Sequence, residues 1–344
     1  MARLPLLLVR VVALAIGALS GSSLAAQEKT VELKISSWVP PAHSLTVALE
    51  TWGKSIQSAS SGSIKFALFP AQALGKPQDH YDMIRKGAAD VAIINPMFQP
   101  GRFPILDAGA LPLLATNAGG GSLALDEWYR GYAGKEMADV KFCFAFLQNP
   151  GTFHSRKRIA SPVDVKGLKV RPAHPTIASF ISLLGGTNVN SSVAETRQLL
   201  EHGGVDAITF SWSSVIQFKI DRAVKFHLDI PLYATPFALV INRTTYDPMS
   251  EKQKAVLNDH CNAEWVRRIA PAWEGGDSMS RAELAKRDDR KMHQPAPSEI
   301  ERWRKASDPL TMQWSASVKK AGWNPADVLA ELKTSLSRHE AAIR

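Results

Sequence analysis

The sequence predicts an α/β protein of two domains of similar build followed by a helical tail, and three observations carry that prediction. From Val31 to Ile94, period-two apolar stretches alternate with apolar residues at helical spacing, as in a parallel sheet with connecting helices. The succession restarts at Val140 and runs to Phe210. Each half ends on one local pattern: Lys86-Gly87-Ala88-Ala89-Asp90-Val91-Ala92-Ile93-Ile94 in the first, His202-Gly203-Gly204-Val205-Asp206-Ala207-Ile208-Thr209-Phe210 in the second. Both read as a helix end, a glycine, an aspartate three residues on and a buried strand. Because glycine C-caps before strands are common in any α/β chain, shared design and coincidence both stay open.

The elements follow in order. Arg3 and Arg10 lie in and just after a short apolar block, Val11 to Leu19 continues it, and Ser23-Leu24-Ala25 supplies the small residues of a cleavage site. Residues 1–25 therefore read as a signal peptide, and the mature protein as exported and soluble. A membrane anchor would need roughly 20 uninterrupted apolar residues. Val31 to Ile35 alternates as a strand, and Leu45, Ala48, Leu49, Trp52 and Ile56 recur as a helix behind Ser44 as N-cap. Ile64, Phe66 and Leu68 form a second strand, Tyr81 and Ile84 lie on a helix, and Val91 to Ile94 is a buried strand. In the second half, Val140 to Leu147 and Gly167 to Arg171 read as strands, and Thr176 to Leu184 as a helix. Ser192 and Glu195 form a capping box before the next helix, which gives way to the strand Val205 to Phe210. Thr235 to Asn242 is a further strand. The helical tail carries Trp265, Trp273, Trp303, Trp314 and Trp323, expected as packing anchors.

The precursor carries a net charge of +9, and removing Arg3 and Arg10 leaves +7. That favours anionic ligands in a diffuse way, and no polybasic run with interleaved aromatics calls for nucleic acid. Two cysteines in so long an exported chain exclude a disulfide framework; whether Cys143 and Cys261 pair stays open, with two buried thiols the favoured reading. Gly276-Asp277-Ser278 lacks the strand-turn-helix setting of a hydrolase nucleophile, and Ser317 with Lys320 is a chance spacing. His43, His154, His174 and His202 show no metal-binding spacing, so no catalytic residue, metal or cofactor is assigned.

Binding has better candidates. In an α/β sheet the ligand crevice lies outside the carboxyl ends of the strands. The loop after the first strand carries Trp38 and His43, the loop after Ile94 carries Asn95, Phe98 and Arg102, and the loop after Phe210 carries Ser211 and Trp212. Arg171 ends its own strand in the same sense. Its guanidinium can take both oxygens of a carboxylate. A salt bridge to Asp164 or Glu195 is the alternative use of that charge.

From Val31 to about Leu257 the chain resembles the periplasmic solute-binding subunits of tripartite ATP-independent periplasmic (TRAP) transporters, of the C4-dicarboxylate-binding type. The matching landmarks are Phe69-Pro70-Ala71-Gln72-Ala73-Leu74-Gly75, Gly87 with Asp90, Leu111-Pro112-Leu113-Leu114, Gly167-Leu168-Lys169-Val170-Arg171, Glu195, Gly204-Val205-Asp206, and Thr235-Pro236-Phe237 leading to Ile241-Asn242. The resemblance implies a two-lobe periplasmic-binding-protein fold with hinged α/β domains and a long C-terminal helical region crossing both. It divides the chain into 27–150 plus 236–275 as lobe I, 151–235 plus part of 276–305 as lobe II, and 306–344 as the C-terminal helical segment. It also implies a monomeric periplasmic receptor without catalysis, in which Arg171 pairs with the carboxylate of an organic acid. The closed protein then delivers that acid to integral-membrane permease subunits driven by an ion gradient. A sensor-type binding protein and an exported enzyme on the same fold are the alternatives.

Two departures bear on the ligand. Sialic-acid-type members carry a second arginine where this chain has Gly151-Thr152-Phe153, and an asparagine where it has Phe210. The expected ligand is thus a monocarboxylate with an apolar or aromatic body, its charge held by Arg171 and its remainder selected by Phe153, Phe210 and Trp212.

Overall fold

The computed structural model describes residues 29–274 and 276–343, and the predicted signal peptide 1–25 lies outside them. The strands are β1 (Val31–Ser36), β2 (Ile64–Phe69), β3 (Val91–Ile94), β4 (Val140–Ser155), β5 (Lys169–Arg171), β6 (Thr187–Asn188), β7 (Ala207–Phe210), β8 (Phe226–Leu228), β9 (Tyr233–Asn242) and β10 (Lys291–His293). They follow the order β2-β1-β3-β9-β4-β7-β5-β6, with β8 pairing both β4 and β10. In the first half β1 runs parallel to β2 and β3, and β9 is antiparallel to β3. In the second half β5 runs parallel to β6 and β7, and β4 is antiparallel to β7.

One strand serves both halves. β4 pairs with β9 as far as Gly151, and from Thr152 to Ser155 it pairs with β7. The sequence places a strand only over Val140 to Leu147; the chain stays extended for a further turn-free stretch because it crosses from one half to the other.

The recurring glycine–aspartate pattern is a true structural repeat. The Asp90 carboxylate accepts the Lys34 backbone N–H at 2.8 Å, and the Asp206 carboxylate accepts that of Lys169 at 2.9 Å. Each aspartate N–H also donates to the carbonyl of the same lysine, and each aspartate carbonyl accepts from the next antiparallel strand, from Asn242 in one half and Arg156 in the other. Gly87 and Gly203 end the preceding helices at φ 74°, a left-handed conformation that only glycine adopts without strain.

Helices cover both faces of each half, so the central strands are buried throughout. Leu49, Trp52 and Ile56 of the helix Ser44–Ala59 pack with Ile93, Phe144 and Trp265 on one side of the first half. The helix Ala118–Glu136 packs on the other side. His43, not Ser44, caps the first of these: its ring accepts the Leu45 N–H at 3.1 Å, while the Ser44 hydroxyl donates to the Ala272 carbonyl.

The long helix Pro297–Lys320 crosses both halves. Trp303 is buried with Phe153 and Phe180 in the second, and Trp314 and Val318 are buried in the first. Each indole N–H reaches a carbonyl, of Ala160 and Pro104 respectively, so both rings anchor by packing and by hydrogen bonding.

The expectation of two free thiols is overturned. Cys143 and Cys261 form a disulfide with Cα atoms 4.5 Å apart, across 118 residues of sequence. Both belong to the cluster around Trp52 and Phe144, a proximity that spacing along the chain does not reveal.

Candidate functional site

The loops named from the sequence come together in pairs across the two halves. The loop after β1 and the segment after β7 line a cavity of about 230 Å³ through His43, Ser44, Ser213, Ser214 and Gln217. Beyond β3, the Asn95 side chain accepts the Met97 N–H at 3.0 Å, and the Met97 sulfur accepts the Thr176 hydroxyl at 3.1 Å. Thr176 lies in the helix Pro175–Leu183, which starts just past β5. Arg171 therefore ends its strand where the two halves face one another.

Arg171 is 9% exposed, and its guanidinium lies 4.9 Å from the centre of the Phe210 ring. Its Nε–H donates to the Ser191 carbonyl at 3.4 Å. Among the described residues no carboxylate pairs with it. Both alternative partners are engaged elsewhere: Asp164 accepts from the backbone of Ala160 and Ser161, and Glu195 from Ser192. Burial pulls the guanidinium below its ordinary range. A cation removed from water without a counter-ion costs several kcal/mol, whereas an aromatic face returns about 0.5–2 kcal/mol. The arrangement thus leaves a buried charge that an anion would offset.

Two further side chains complete this environment, and the sequence reading did not assign either to it. Tyr233 opens β9 opposite Gly151, and an added Cβ at Gly151 would lie 2.4 Å from the phenol ring. Burial raises the Tyr233 hydroxyl well above its ordinary value, while hydrogen bonding to Thr209 and the Arg171 charge act the other way. His174 stands edge-on to Tyr233 with ring centres 5.3 Å apart. It is 4% exposed, and neither ring nitrogen has a hydrogen-bond partner among the described residues. Burial, and then the Arg171 charge, lower its pKa to about 3, so the ring is neutral. The signal in the sequence was position: His174 lies three residues beyond Arg171, at the same strand end.

The other predicted residues divide. Phe210 forms the floor beneath Arg171. Trp38 is half-buried and stacks on Phe237 at 5.7 Å, beside buried His80. Ser211 shares hydroxyl hydrogen bonds with Ser213 and Ser214 at the start of the helix Trp212–Gln217, and Phe98 is half-buried on the turn after β3. Trp212 packs edge-on to His154 at 4.9 Å and lines a different cavity with Asn149, Asp277 and Arg281. Arg102 is held by Asp82 at 3.0 Å and lies over the Tyr81 ring. Phe153 is a correction. It is fully buried 5.8 Å from Trp303, because strand parity pairs Thr152, not Phe153, with Phe210 and sends the Phe153 ring to the opposite face. None of Gly151, Thr152 and Phe153 presents a cation, and the Thr152 hydroxyl is spent on the Leu228 carbonyl at 2.6 Å.

Comparison with known proteins gives a consistent result. The family described as "Bacterial extracellular solute-binding protein, family 7" matches residues 35–317. The 2,3-diketo-L-gulonate-binding periplasmic protein YiaO of Escherichia coli is 27% identical over 260 residues, spanning 71% of this chain and 74% of that protein. A TRAP solute-binding protein from an unidentified marine microbe, specific for aromatic acid ligands and solved with 3-hydroxybenzoate, is 26% identical with a TM-score of 0.81, covering 91% of this chain and 99% of its own. A TRAP periplasmic solute-binding protein of Bordetella bronchiseptica, solved with (R)- and (S)-mandelate, is 26% identical with a TM-score of 0.80, covering 90% and 99%. The chain belongs to solute-binding protein family 7, an extracytoplasmic family of binding receptors. No helix among the described residues is long and apolar enough to cross a membrane.

Proposed function

We propose that this family 7 protein is a periplasmic TRAP receptor for a monocarboxylate with an aromatic body, delivered to integral-membrane permease subunits. The observation that carries the reading is the buried Arg171 cation, which lies over Phe210 and lacks a carboxylate partner among the described residues. The carboxylate of the ligand pairs with that guanidinium, and the aromatic body lies among Phe210, Tyr233 and the Trp38–Phe237 stack. Gly151 supports the choice of a single charge, since the Tyr233 ring fills the space a second cationic side chain would need there. The aromatic acids bound by the two solved relatives point to the same class of ligand.

In this reading a ligand that touches both halves stabilises the closed arrangement by its additional contacts there. Aromatic monocarboxylates should raise the melting temperature, with a stabilisation of about 2.7 kcal/mol at a hundredfold excess over Kd. The ligand should be recovered unchanged, which separates a receptor from an enzyme. Full retention of affinity by Arg171→Ala would sink the assignment of that residue.

A further inference from the structure

His174 is a buried imidazole with a hydrogen-bond donor and an acceptor to offer, and no protein group among the described residues takes either. Its surroundings fix what it could meet. On one side is the edge of Tyr233, and close by is the charge of Arg171. The next residues, Pro175 and Thr176, line a cavity together with Met97 of the other half. The ring therefore sits at the carboxyl end of β5, where the halves meet, within the same environment as the carboxylate-binding cation.

We infer that His174 reads a hydroxyl group on the ligand, and so makes the receptor prefer hydroxylated carboxylic acids over their unsubstituted counterparts. The inference rests on the proposed role of Arg171 and adds the chemical class of the substituent.

A neutral imidazole presents one N–H and one lone pair, and a hydroxyl can answer either as acceptor or as donor. A second carboxylate would instead need a cation at this point. His174 remains neutral because burial and the neighbouring guanidinium both oppose its protonation, so it offers a second carboxylate one N–H but no compensating charge. An acid lacking the hydroxyl leaves both buried ring nitrogens unsatisfied, which is how a polar pocket rejects an otherwise identical ligand. Tyr233 does not stand in for that hydroxyl, since neither His174 ring nitrogen has a hydrogen-bond partner among the described residues.

Titration calorimetry on matched pairs tests this. The pairs are benzoate with 3-hydroxybenzoate, phenylacetate with mandelate, and propionate with lactate. The wild type should bind the hydroxylated member of at least one pair about tenfold or more tightly, the equivalent of one hydrogen bond to a buried group. His174→Phe should bring that ratio to within about threefold of unity, whichever way it moves the affinity for the unsubstituted acid, and His174→Gln should restore part of the preference. A ratio that survives in His174→Phe, or a wild type indifferent to the hydroxyl, overturns the inference and leaves the aromatic-acid reading intact. A His174-dependent preference confined to propionate and lactate upholds the inference and overturns the aromatic reading. Binding of none of the six acids overturns both.

Discussion

The guanidinium of Arg171 lies over Phe210, 4.9 Å from the ring centre, on a residue that ends β7 just as Arg171 ends β5. The two strands are parallel and adjacent, with Arg171 in register with Ile208. The cation is therefore held from below by an apolar surface and from the side by one carbonyl, and its remaining N–H groups meet no carboxylate among the described residues. An aromatic floor orients the fork and excludes water, but it leaves most of the burial cost to be met by an incoming carboxylate.

That imbalance has opposite consequences for the free and the loaded protein. Arg171→Met keeps a long stem in the same space and removes the unpaired charge, so the ligand-free melting temperature should rise or stay level. Affinity for the best aromatic acid should fall by at least about thirtyfold, since losing one partner of a buried charge pair costs 2 kcal/mol or more. Arg171→Lys should recover little, because an ammonium lacks the planar fork. Thermal denaturation with and without ligand checks both signs. A large loss of ligand-free stability in Arg171→Met would show that the charge has a partner within the fold.

Much of this architecture was legible because local chemistry decides it. The glycine–aspartate repeat could be read because a left-handed helix end needs glycine, and a carboxylate at the start of a buried strand needs a donor; both requirements are written within a few residues. Arg171 and Phe210 were legible from their place at strand ends. Phe153 was misassigned because its sequence neighbourhood does not give the parity of a strand that changes partner at Gly151. Tyr233 and His174 were missed because they become site residues only through long-range pairing: Tyr233 opposite Gly151, and His174 against Tyr233. The disulfide was hidden for the same reason.

Gly151 is the position where that long-range pairing is most exposed to mutation. A Cβ there meets the Tyr233 ring at 2.4 Å, inside any tolerable contact, and the ring has buried neighbours on its other sides. Gly151→Ala should destabilise the protein by about 1–3 kcal/mol, the usual cost of overpacking, and weaken aromatic-acid binding by displacing the ring. Adding Tyr233→Leu to Gly151→Ala should restore part of the lost stability but not the binding. A double-mutant cycle by thermal and calorimetric titration measures the coupling, and additivity of the two changes in stability would refute the contact.

Cys143 and Cys261 both lie in the first-half cluster around Trp52 and Phe144, apart from the residues around Arg171, and their bond closes a 118-residue separation that takes in most of the second half. Replacing both cysteines by serine should therefore lower stability by about 2–5 kcal/mol while leaving ligand affinity within about twofold of the wild type. A free-thiol assay on the oxidised protein under denaturing conditions should find none from this pair. Unaltered stability in the double serine variant would remove the bond from the list of features that hold the first half together.

Acid sensitivity should come from histidines buried in the neutral state. The His154 and His227 rings meet through their Nδ1 atoms at 2.7 Å, and His154 Nε2 lies 3.1 Å from the Phe210 carbonyl. A carbonyl only accepts, so His154 donates from Nε2, and His227 donates from Nδ1 to the bare Nδ1 of His154. Burial first, and then the Arg290 charge, lower the His227 pKa to about 4, with Arg287 acting alongside and Asp221 and Asp229 against; burial and then its partner hold His154 well below 6.5. The unfolded chain binds these protons near pH 6.5 and the folded one does not, so stability is full above that pH and is lost as the pH falls toward 4. Asp107 and Glu136, whose carboxyls burial pushes upward, act with the opposite sign, so the informative quantity is a difference between variants. His227→Asn retains a donor toward His154 but cannot take up the proton, and its melting temperature should fall less than that of the wild type between pH 7 and 4.5. Parallel curves for the two proteins across that range would show that His227 does not set the acid limit of the fold.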